Sequence, residues 1–282
     1  MSIGITGFDH PIIAVRDLEQ SRILYQQLGF TVPPAGRHLE WGTGNWCIMF
    51  GRNYLEHRGI ADPARYTHGL EVFLAEREGL LGSAFRSDLD NRDVYRNAID
   101  AGLHPAEPRE LTRNFLLESG TVPVSFRLVF FNAAQAPAMM SSLVCEHLTP
   151  DRLRKPEFLT HANGALNVFE MTSVVASLTG VREQLLPYFG GDAIREVADE
   201  ITVAMQDGEV LRIVSRQKAE DGGLAIPGVQ GPYLSSVGIH VSDLARTRGV
   251  LDQNEIPFDV LSDRIRVQPP HTCGYHLDFV EA

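Results

Sequence analysis

One pattern recurs along this chain and restricts its fold more than any other feature: an alternating apolar strand, a turn with an aspartate, an amphipathic helix and then further strands. The clearest copy opens the chain. Asp9 to Val15 predicts the strand, Asp17 the N-cap of the helix, and Gly29 the end of that helix. Three more strands are predicted behind it, at Phe30 to Val32, Asn45 to Phe50 and Tyr54 to Arg58. The pattern therefore describes a βαβββ unit.

Three further copies of this unit follow. Their predicted first strands and helices are, in order, Leu80 to Arg86 with Asp90 to Ala101, Ala165 to Met171 with Val181 to Tyr188, and Leu234 to Val241 with Asp243 to Asn254. Between the second and third copies, Thr149 to His161 is rich in proline and charge and has no periodicity, which indicates a domain boundary. We expect one domain at residues 1–150, a linker at 151–162 and a second domain at 163–282.

The composition narrows the possible partners of this chain. Its apolar runs are far shorter than the roughly 18 to 20 residues that span a bilayer, and its start lacks the features of a signal peptide, so we expect a cytoplasmic protein. The three cysteines are odd in number and widely spaced, which argues against a disulfide framework. A net charge of -11 without a basic cluster disfavours nucleic acid and membrane surfaces. A small-molecule substrate is the expected partner.

A short sequence repeat lies at the ends of two predicted strands. Tyr54-Leu55-Glu56-His57 in the first unit matches Val144-Cys145-Glu146-His147 in the second. Carboxylates that end apolar strands are costly to bury unless they are paired or bound to a metal, which favours a site role for Glu56 and Glu146. Because side chains alternate along a strand, the histidines that follow are expected on the opposite face.

Four such units, with His10 on the first strand and Glu56 on the fourth, resemble the vicinal-oxygen-chelate superfamily of glyoxalases, bleomycin resistance proteins and extradiol dioxygenases. The stretches that carry this resemblance most specifically are Phe8 to Leu18, Leu28 to Phe30, Gly36 to Asn45, and Tyr54 to Glu56. The resemblance covers essentially the whole chain. It implies an α+β fold in which the four βαβββ modules pair into two cupped-sheet, glyoxalase-like domains.

The resemblance also implies a metal at the bottom of the N-terminal cup, with His10, Glu56 and Glu146 as ligands. One neutral imidazole with carboxylates suits a divalent ion such as manganese, iron, nickel or zinc. The C-terminal domain offers only Ser236 and Asp278 at the matching positions, so we expect it to carry no metal and to cover the N-terminal sheet or form a homodimer contact.

The ligand from the first strand of the second unit depends on how that unit is aligned. If the strand is Leu80 to Arg86, the position falls on Ser83, which is a poor ligand. If it is Thr67 to Ala75, His68 takes the position and completes a metal site. We favour the first alignment, because the second leaves the apolar segment from Gly79 to Phe85 in a loop. Pro63 to Arg77 is then an added helix with His68 at its start.

The glycine-rich segment from Gly36 to Asn45 has two interpretations. It contains hydrogen-bond donors and an aromatic face that could bind substrate beside the cup, or it forms only a hairpin turn. The residues that would contact the substrate are Arg37, His38, Trp41 and Asn45.

Three functions are compatible with these residues. The first is a metal-dependent lyase or isomerase that chelates adjacent oxygens of a small substrate, with Glu146 moving the proton. The second is a non-haem iron ring-cleaving dioxygenase, which needs a second histidine in the cup, such as His68. The third is a metal-free protein that binds or sequesters a small molecule, which Ser83 at a ligand position favours.

Overall fold

A computed structural model describes residues 2–117 and 120–282 of the chain. It contains the four predicted βαβββ units, and the α+β fold class is confirmed. The first two units and the helix that joins them are β1 (Ile5–Ala14), α1 (Leu18–Gln27), β2 (Gly36–His38), β3 (Thr43–Met49), β4 (Tyr54–Ile60), α2 (Leu70–Glu76), β5 (Gly79–Ser87), α3 (Asn91–Asp100), β6 (Arg109–Leu117), β7 (Gly120–Phe130) and β8 (Leu143–His147).

The second half of the chain repeats this order, with one extra helix between its two units. Its elements are β9 (Ala165–Val175), α4 (Val181–Phe189), β10 (Ile194–Val197), β11 (Glu200–Ala204), β12 (Val210–Ser215), α5 (Arg216–Asp221), β13 (Tyr233–Val241), α6 (Leu244–Gln253), β14 (Asp259–Val260), β15 (Ile265–Val267) and β16 (His276–Glu281). No helix in the described residues is long and apolar enough to cross a membrane.

The recurrent aspartates start the helices as the sequence predicts. The side chains of Asp17, Asp90 and Asp243 accept hydrogen bonds from backbone N–H groups in the first turns of α1, α3 and α6. These N–H groups have no partner within the helix, so an aspartate at this position stabilises the helix by about 1 kcal/mol. The repeated turn thus fixes where α1, α3 and α6 begin.

The two halves form two sheets of different closure. Strands β1 to β8 make a closed barrel in the order β1-β4-β3-β2-β6-β7-β8-β5. Strands β9 to β16 make an eight-stranded sheet in the order β10-β11-β12-β9-β13-β16-β15-β14, with β10 and β14 at its edges. In both sheets the first strands of the two units run antiparallel, as β1 with β5 and β9 with β13. The barrel closes where β2 pairs with β6.

One hydrophobic core joins the helices and the outer faces of both sheets. Phe30 stacks against Phe279 across the two halves with 6.0 Å between ring centroids, and the hydroxyl groups of Tyr25 and Tyr275 are hydrogen-bonded. A second cluster lies inside the barrel, on the other face of the same strands, and includes Cys47 and Leu128. Strand alternation therefore separates a core-facing surface from an inner surface, which we call the cup.

Several elements differ from the sequence prediction. Phe30 to Val32 is not a strand, and the strand of the first unit expected there is the three-residue β2. Strands β6 and β10 and helix α5 were not predicted, because they are short or rich in polar residues and lack a clear apolar alternation. The strand predicted from Leu80 to Arg86 is confirmed by β5.

Candidate active site in the N-terminal barrel

The cup encloses a small cavity of about 30 Å³. Polar side chains from β1, β2, β3, β4 and β6 line one side of it, and apolar side chains from β6, β7 and β8 line the other. The polar group is His10, His38, Asn45, Glu56, Arg58 and Arg113, and the apolar group includes Leu111, Phe126, Leu128 and Leu143. A buried polar cluster beside an apolar wall is the usual composition of a small-molecule site.

His10 and Glu56 meet at the bottom of the cup. Strands β1 and β4 are parallel neighbours, with Ile12 opposite Glu56, so both side chains point inward. The Nε2 atom of His10 lies 3.3 Å from Glu56 Oε2, and its ring stacks on Tyr54 with 4.2 Å between centroids. Burial alone would lower the pKa of His10, but its hydrogen bonds to Asp9 and Glu56 outweigh burial and raise that pKa. The structure therefore brings together two of the three predicted ligands.

The carboxylate of Glu56 lies next to most of the other polar side chains of the cup. It accepts hydrogen bonds from Asn45 Nδ2 and from Arg58 Nη2, the latter at 2.7 Å. His38 Nε2 lies 3.9 Å from its other side, at Oε1. Burial would raise the pKa of Glu56, but the charge of Arg58 and the contacts of His10 hold it well below its ordinary value. Glu56 is thus ionised and surrounded by donors.

His38 is a second histidine inside the cup. Its Nδ1 atom is hydrogen-bonded to Thr43 Oγ1 at 2.7 Å, which leaves Nε2 directed at Glu56. Burial and the charge of Arg58 lower the pKa of His38 to about 3, so the ring is neutral. The sequence analysis placed His38 among possible substrate contacts and did not consider it as the second histidine that an iron site requires.

The other predicted substrate contacts separate into three places. Asn45 lies in the cup, where it bridges Glu56 and Arg113. Trp41 is buried at the rim and stacks on His68 with 4.7 Å between ring centroids. Arg37 is exposed, because it alternates with His38 on β2 and points away from the cavity.

Asp9 is a site residue that the sequence analysis missed. It is the extra residue of a β-bulge, since Phe8 pairs with Phe85 and His10 pairs with Ala84 on β5. The bulge turns two consecutive side chains toward the same face, which regular alternation forbids. Asp9 Oδ1 accepts a hydrogen bond from His10 Nδ1 at 2.6 Å. Asp9 thereby fixes the orientation of the His10 ring, and no regular strand pattern in the sequence reveals it.

A second group of donors adjoins the first through Asp9. His147 Nε2 donates a hydrogen bond to Asp9 Oδ2 at 2.7 Å. Asp9, Cys145 and His147 each have one potential metal-ligand atom, and these three atoms lie within 4.8 Å of one another. Burial would raise the pKa of Asp9, but the charges and hydrogen bonds of His147 and His10 outweigh it and keep the carboxyl ionised. Burial raises the pKa of Cys145 well above its ordinary value, so that side chain is a thiol.

Glu146 does not join this site in the structure. Cys145 and His147 face inward, so strand alternation puts Glu146 on the outer face of β8. There it accepts hydrogen bonds from Arg127 Nη1 at 3.0 Å and from the backbone N–H of Asn91 at the start of α3. The expected convergence of Glu146 with His10 and Glu56 is corrected accordingly. In the repeated Glu-His pair, the glutamate faces the cup in the first unit and the histidine faces it in the second.

The alignment with Ser83 at the ligand position matches the structure. Ser83 lies on β5 opposite Pro11, and its hydroxyl group contacts backbone carbonyl oxygens. His68 is exposed on the turn before α2, with a positive φ of 58°, and its ring packs on Trp41 and Phe130. His68 therefore lies at the rim and is not on a strand beside His10.

The donors in the cup fit a divalent ion in their chemistry. His10 and His38 direct their Nε2 atoms at one carboxylate, while Asp9 and Thr43 hold their Nδ1 atoms. Metal-binding histidines are typically held in this way by a partner on the other ring nitrogen. Two imidazoles and one carboxylate form a ligand set of the non-haem iron type. Arg58 beside Glu56 adds positive charge, so a bound cation would also need a negatively charged partner.

Known proteins resemble this chain in their sequence family and in their fold. The model of the glyoxalase-like domain family matches residues 8–189. A hypothetical protein from Staphylococcus aureus has a similar structure, with a TM-score of 0.72, 12% identity, and coverage of 98% of this chain and 99% of that one. A xylose isomerase-like TIM barrel/4-hydroxyphenylpyruvate dioxygenase fusion protein gives a TM-score of 0.62 at 15% identity, covering 100% of this chain and 49% of the fusion.

A mutant of 4-hydroxymandelate synthase from Streptomyces coelicolor is also similar, with a TM-score of 0.57 and 11% identity over 98% of this chain and 92% of that one. At these identities the likeness concerns the fold. A search of curated proteins found no match.

Proposed function

The chain belongs to the glyoxalase-like domain family, and on that premise we propose that it is an enzyme that holds one divalent ion and a small oxygenated substrate together in the N-terminal cup. His10, His38 and Glu56 are the proposed ligands. Asn45 and Arg58 lie against Glu56 and would orient its carboxylate. Members of this superfamily are often enzymes, whereas the metal and the reaction are our inference.

One observation carries this proposal. Two buried histidines present Nε2 to the same carboxylate, and each has its Nδ1 atom fixed by a different side chain. A histidine that served only packing would not need both ring nitrogens engaged in this directed way. The neutral state of His38, whose pKa is lowered to about 3 by burial and Arg58, keeps its Nε2 lone pair available for a cation.

The residues divide the work of such a site. A bound divalent ion would supply Lewis-acid polarisation of adjacent substrate oxygens or, if it is iron, oxygen activation. Asp9 keeps the His10 ring in place through its hydrogen bond to Nδ1. The apolar wall of Leu111, Phe126 and Leu128 offers no hydrogen-bonding groups to water, which would strengthen the electrostatic interactions of a substrate bound against it.

An oxygenase agrees better with the geometry than a lyase or an isomerase does. The lyase or isomerase required a free carboxylate as base, and Glu146 lies on the outer face of β8. The carboxylates described inside the cup, Asp9 and Glu56, are both engaged by histidines. The oxygenase required a second histidine, which His38 supplies. A cavity of about 30 Å³ favours a small substrate over one that contains a ring. One of the similar structures is a fusion protein with a 4-hydroxyphenylpyruvate dioxygenase part, which is consistent with this class.

Metal analysis of the protein purified without chelators tests the proposal. We expect about one divalent ion per chain, as a three-ligand site implies, and a visible absorption spectrum typical of histidine ligands when cobalt is substituted. His10→Ala and His38→Ala should each weaken metal binding by about 100-fold or more, because each removes one of three ligands.

The exposed histidine His68 provides the matched control. His68→Ala should leave the metal content unchanged, since this ring lies at the rim on Trp41. Oxygen uptake by the iron-loaded protein, measured with a panel of short organic acids, separates the oxygenase from a lyase. Protein that contains no divalent ion as purified, takes up none when ions are added and still binds such acids would support the third function, a binding protein, and would refute the metal site.

A further inference from the structure

Arg113 is a buried cation without a buried anion. It extends from β6 into the cup and is 3% exposed. Its Nη1 atom donates to Asn45 Oδ1 at 3.0 Å and to Cys47 Sγ at 2.9 Å. Its Nε atom is buried without a hydrogen-bond partner, and no salt bridge joins Arg113 to a carboxylate in the described part of the chain. A guanidinium in such surroundings cannot lose its proton.

The neighbours of Arg113 do not supply the missing negative charge. Burial raises the pKa of Cys47 to about 11, so the sulfur that Arg113 contacts belongs to a neutral thiol. Glu56 is already engaged by Arg58, Asn45 and His10. The side chain of Phe115 lies under the guanidinium at 5.6 Å, which is a weak compensation for a buried charge.

Other buried arginines of this protein show how such a charge is normally balanced. Arg58 and Arg266 are 7% and 5% exposed, and each reaches a carboxylate within 2.7 Å. Arg266 binds Asp278 through two nitrogens, in the bidentate arrangement that guanidinium groups favour. Among the buried arginines in residues 2–117 and 120–282, Arg113 is the one whose counter-charge is not provided by the chain.

The cavity beside Arg113 has room for a small anionic group. Its volume of about 30 Å³ corresponds to roughly two water-sized positions, which suit a group as small as a carboxylate better than a ring. We infer that Arg113 anchors the carboxylate of a short organic acid, with His38 and Asn45 beside it and an adjacent substrate oxygen directed at His10 and Glu56. This inference rests on the proposed function for the placement of the site and adds the substrate class. The acid supplies the negative charge that the chain does not provide to Arg113, since Glu56 already pairs with Arg58.

The test compares glycolate, which has a carboxylate and an adjacent hydroxyl group, with its neutral analogue glycolamide. Binding is measured by calorimetry at constant ionic strength, with chelator-treated protein and with zinc-loaded protein. We expect glycolate to bind and glycolamide not to bind. Arg113→Met should weaken glycolate binding by about 10- to 100-fold, as the loss of a charge-assisted hydrogen-bonded pair implies. Arg113→Lys should bind with intermediate affinity, because it keeps the charge and loses the bidentate geometry.

Arg266→Met is the matched control at a buried arginine that has its own carboxylate. It should lower the melting temperature and leave glycolate binding unchanged. Arg113→Met should not lower the melting temperature, because it removes an uncompensated charge. The inference is overturned if the wild type ignores glycolate, if Arg113→Met binds it normally, or if Arg113→Met destabilises the protein as Arg266→Met does. Glycolate binding that depends on Arg113 in protein unable to hold metal would retain the anion site and refute the metal proposal.

Discussion

The two sheets place a carboxylate at the same position and use it differently. In the first unit Ile12 pairs with Glu56, and in the fourth unit Gly238 pairs with Asp278. Ile12 and Gly238 each lie six residues before the start of their unit's helix (18 − 12 and 244 − 238). Glu56 faces two imidazoles, an amide and one guanidinium. Asp278 faces two guanidinium groups, which occupy both of its oxygens.

This difference indicates that the side chains around a buried carboxylate, rather than its position in the fold, decide whether it can bind a metal ion. Imidazole nitrogens exchange a hydrogen bond for a metal bond, because they carry a lone pair when neutral. Guanidinium groups have no such lone pair and remain as permanent counter-ions. Glu56 therefore has imidazole neighbours that could bind an ion, whereas the neighbours of Asp278 are guanidinium groups in salt bridges.

Sheet closure adds to the contrast. In the barrel, β2 pairs with β6, and this places His38 directly opposite Arg113. The matching strands of the second sheet, β10 and β14, lie at its two edges and do not meet. Two residues of the candidate site thus depend on a strand pair that only the first half forms among the described residues.

The largest effect is expected from breaking the salt bridge in the C-terminal sheet. Asp278→Ala leaves the buried Arg266 without a carboxylate, although its bonds to the backbone oxygens of Gly222 and Gly223 remain, and should lower the free energy of unfolding by about 3 to 5 kcal/mol. Urea unfolding followed by circular dichroism measures this loss. The double variant Asp278→Leu with Arg266→Met should recover most of it. A loss below about 1 kcal/mol would mean that Asp278 is not a structural counter-ion.

A smaller, pH-dependent effect is expected at Glu200 on the same sheet. Its hydrogen bond from Arg212, at 2.7 Å, and the nearby Lys218 lower its pKa from 4.5 to about 2 despite burial. A lowered carboxyl pKa gives stability that is complete above pH 4.5 and disappears as the pH falls toward 2. Glu200→Gln should cost about 2 kcal/mol at neutral pH, after allowance for the exposed Lys218.

The measurement is urea unfolding of both proteins from pH 7 to pH 2. The two stabilities should converge below pH 4.5. A difference that is independent of pH would show that the Glu200 pairs do not act through charge, and the view of this sheet as an assembly of permanent ion pairs would weaken.

The sequence predicts the parts of the site that follow from regular strands within one unit. His10 and Glu56 lie on the first and fourth strands of the first unit, and alternation aims both inward. Asp9 escapes prediction because a bulge adds one residue to β1. Glu146 is misplaced because a one-residue offset moves a side chain to the opposite face of its strand. Arg113 is missed because β6 is too polar to be predicted as a strand.

Replacing His57, which lies on the outer face of β4 next to Glu56, should raise the free energy of unfolding by about 1 kcal/mol. His57 is fully buried, both of its ring nitrogens lack hydrogen-bond partners, and it stacks on Trp46 at 3.8 Å. His57→Phe removes two unsatisfied polar atoms and keeps the stacking, so the urea midpoint should rise. Metal binding should not change. A lower midpoint together with weaker metal binding would mean that both faces of β4 serve the site.

The smallest effect is expected at Glu146, which tests the boundary between the cup and its outer surface. Its side chain is 24% exposed and is paired with Arg127. Glu146→Gln keeps an oxygen for the backbone N–H of Asn91 and loses only a partly exposed ion pair. The free energy of unfolding should therefore change by less than about 1 kcal/mol. Metal content and glycolate binding should equal those of the wild type.

The neighbouring residue His147 supplies the contrast on the same strand. His147 points into the cup and binds Asp9, which in turn orients His10. His147→Ala should therefore weaken metal binding by about 10- to 100-fold, as removal of an orienting partner does at metal sites. If Glu146→Gln lowers metal binding and His147→Ala does not, the inner and outer faces of β8 are exchanged in solution. The predicted convergence of Glu146 with His10 and Glu56 would then replace the arrangement described above.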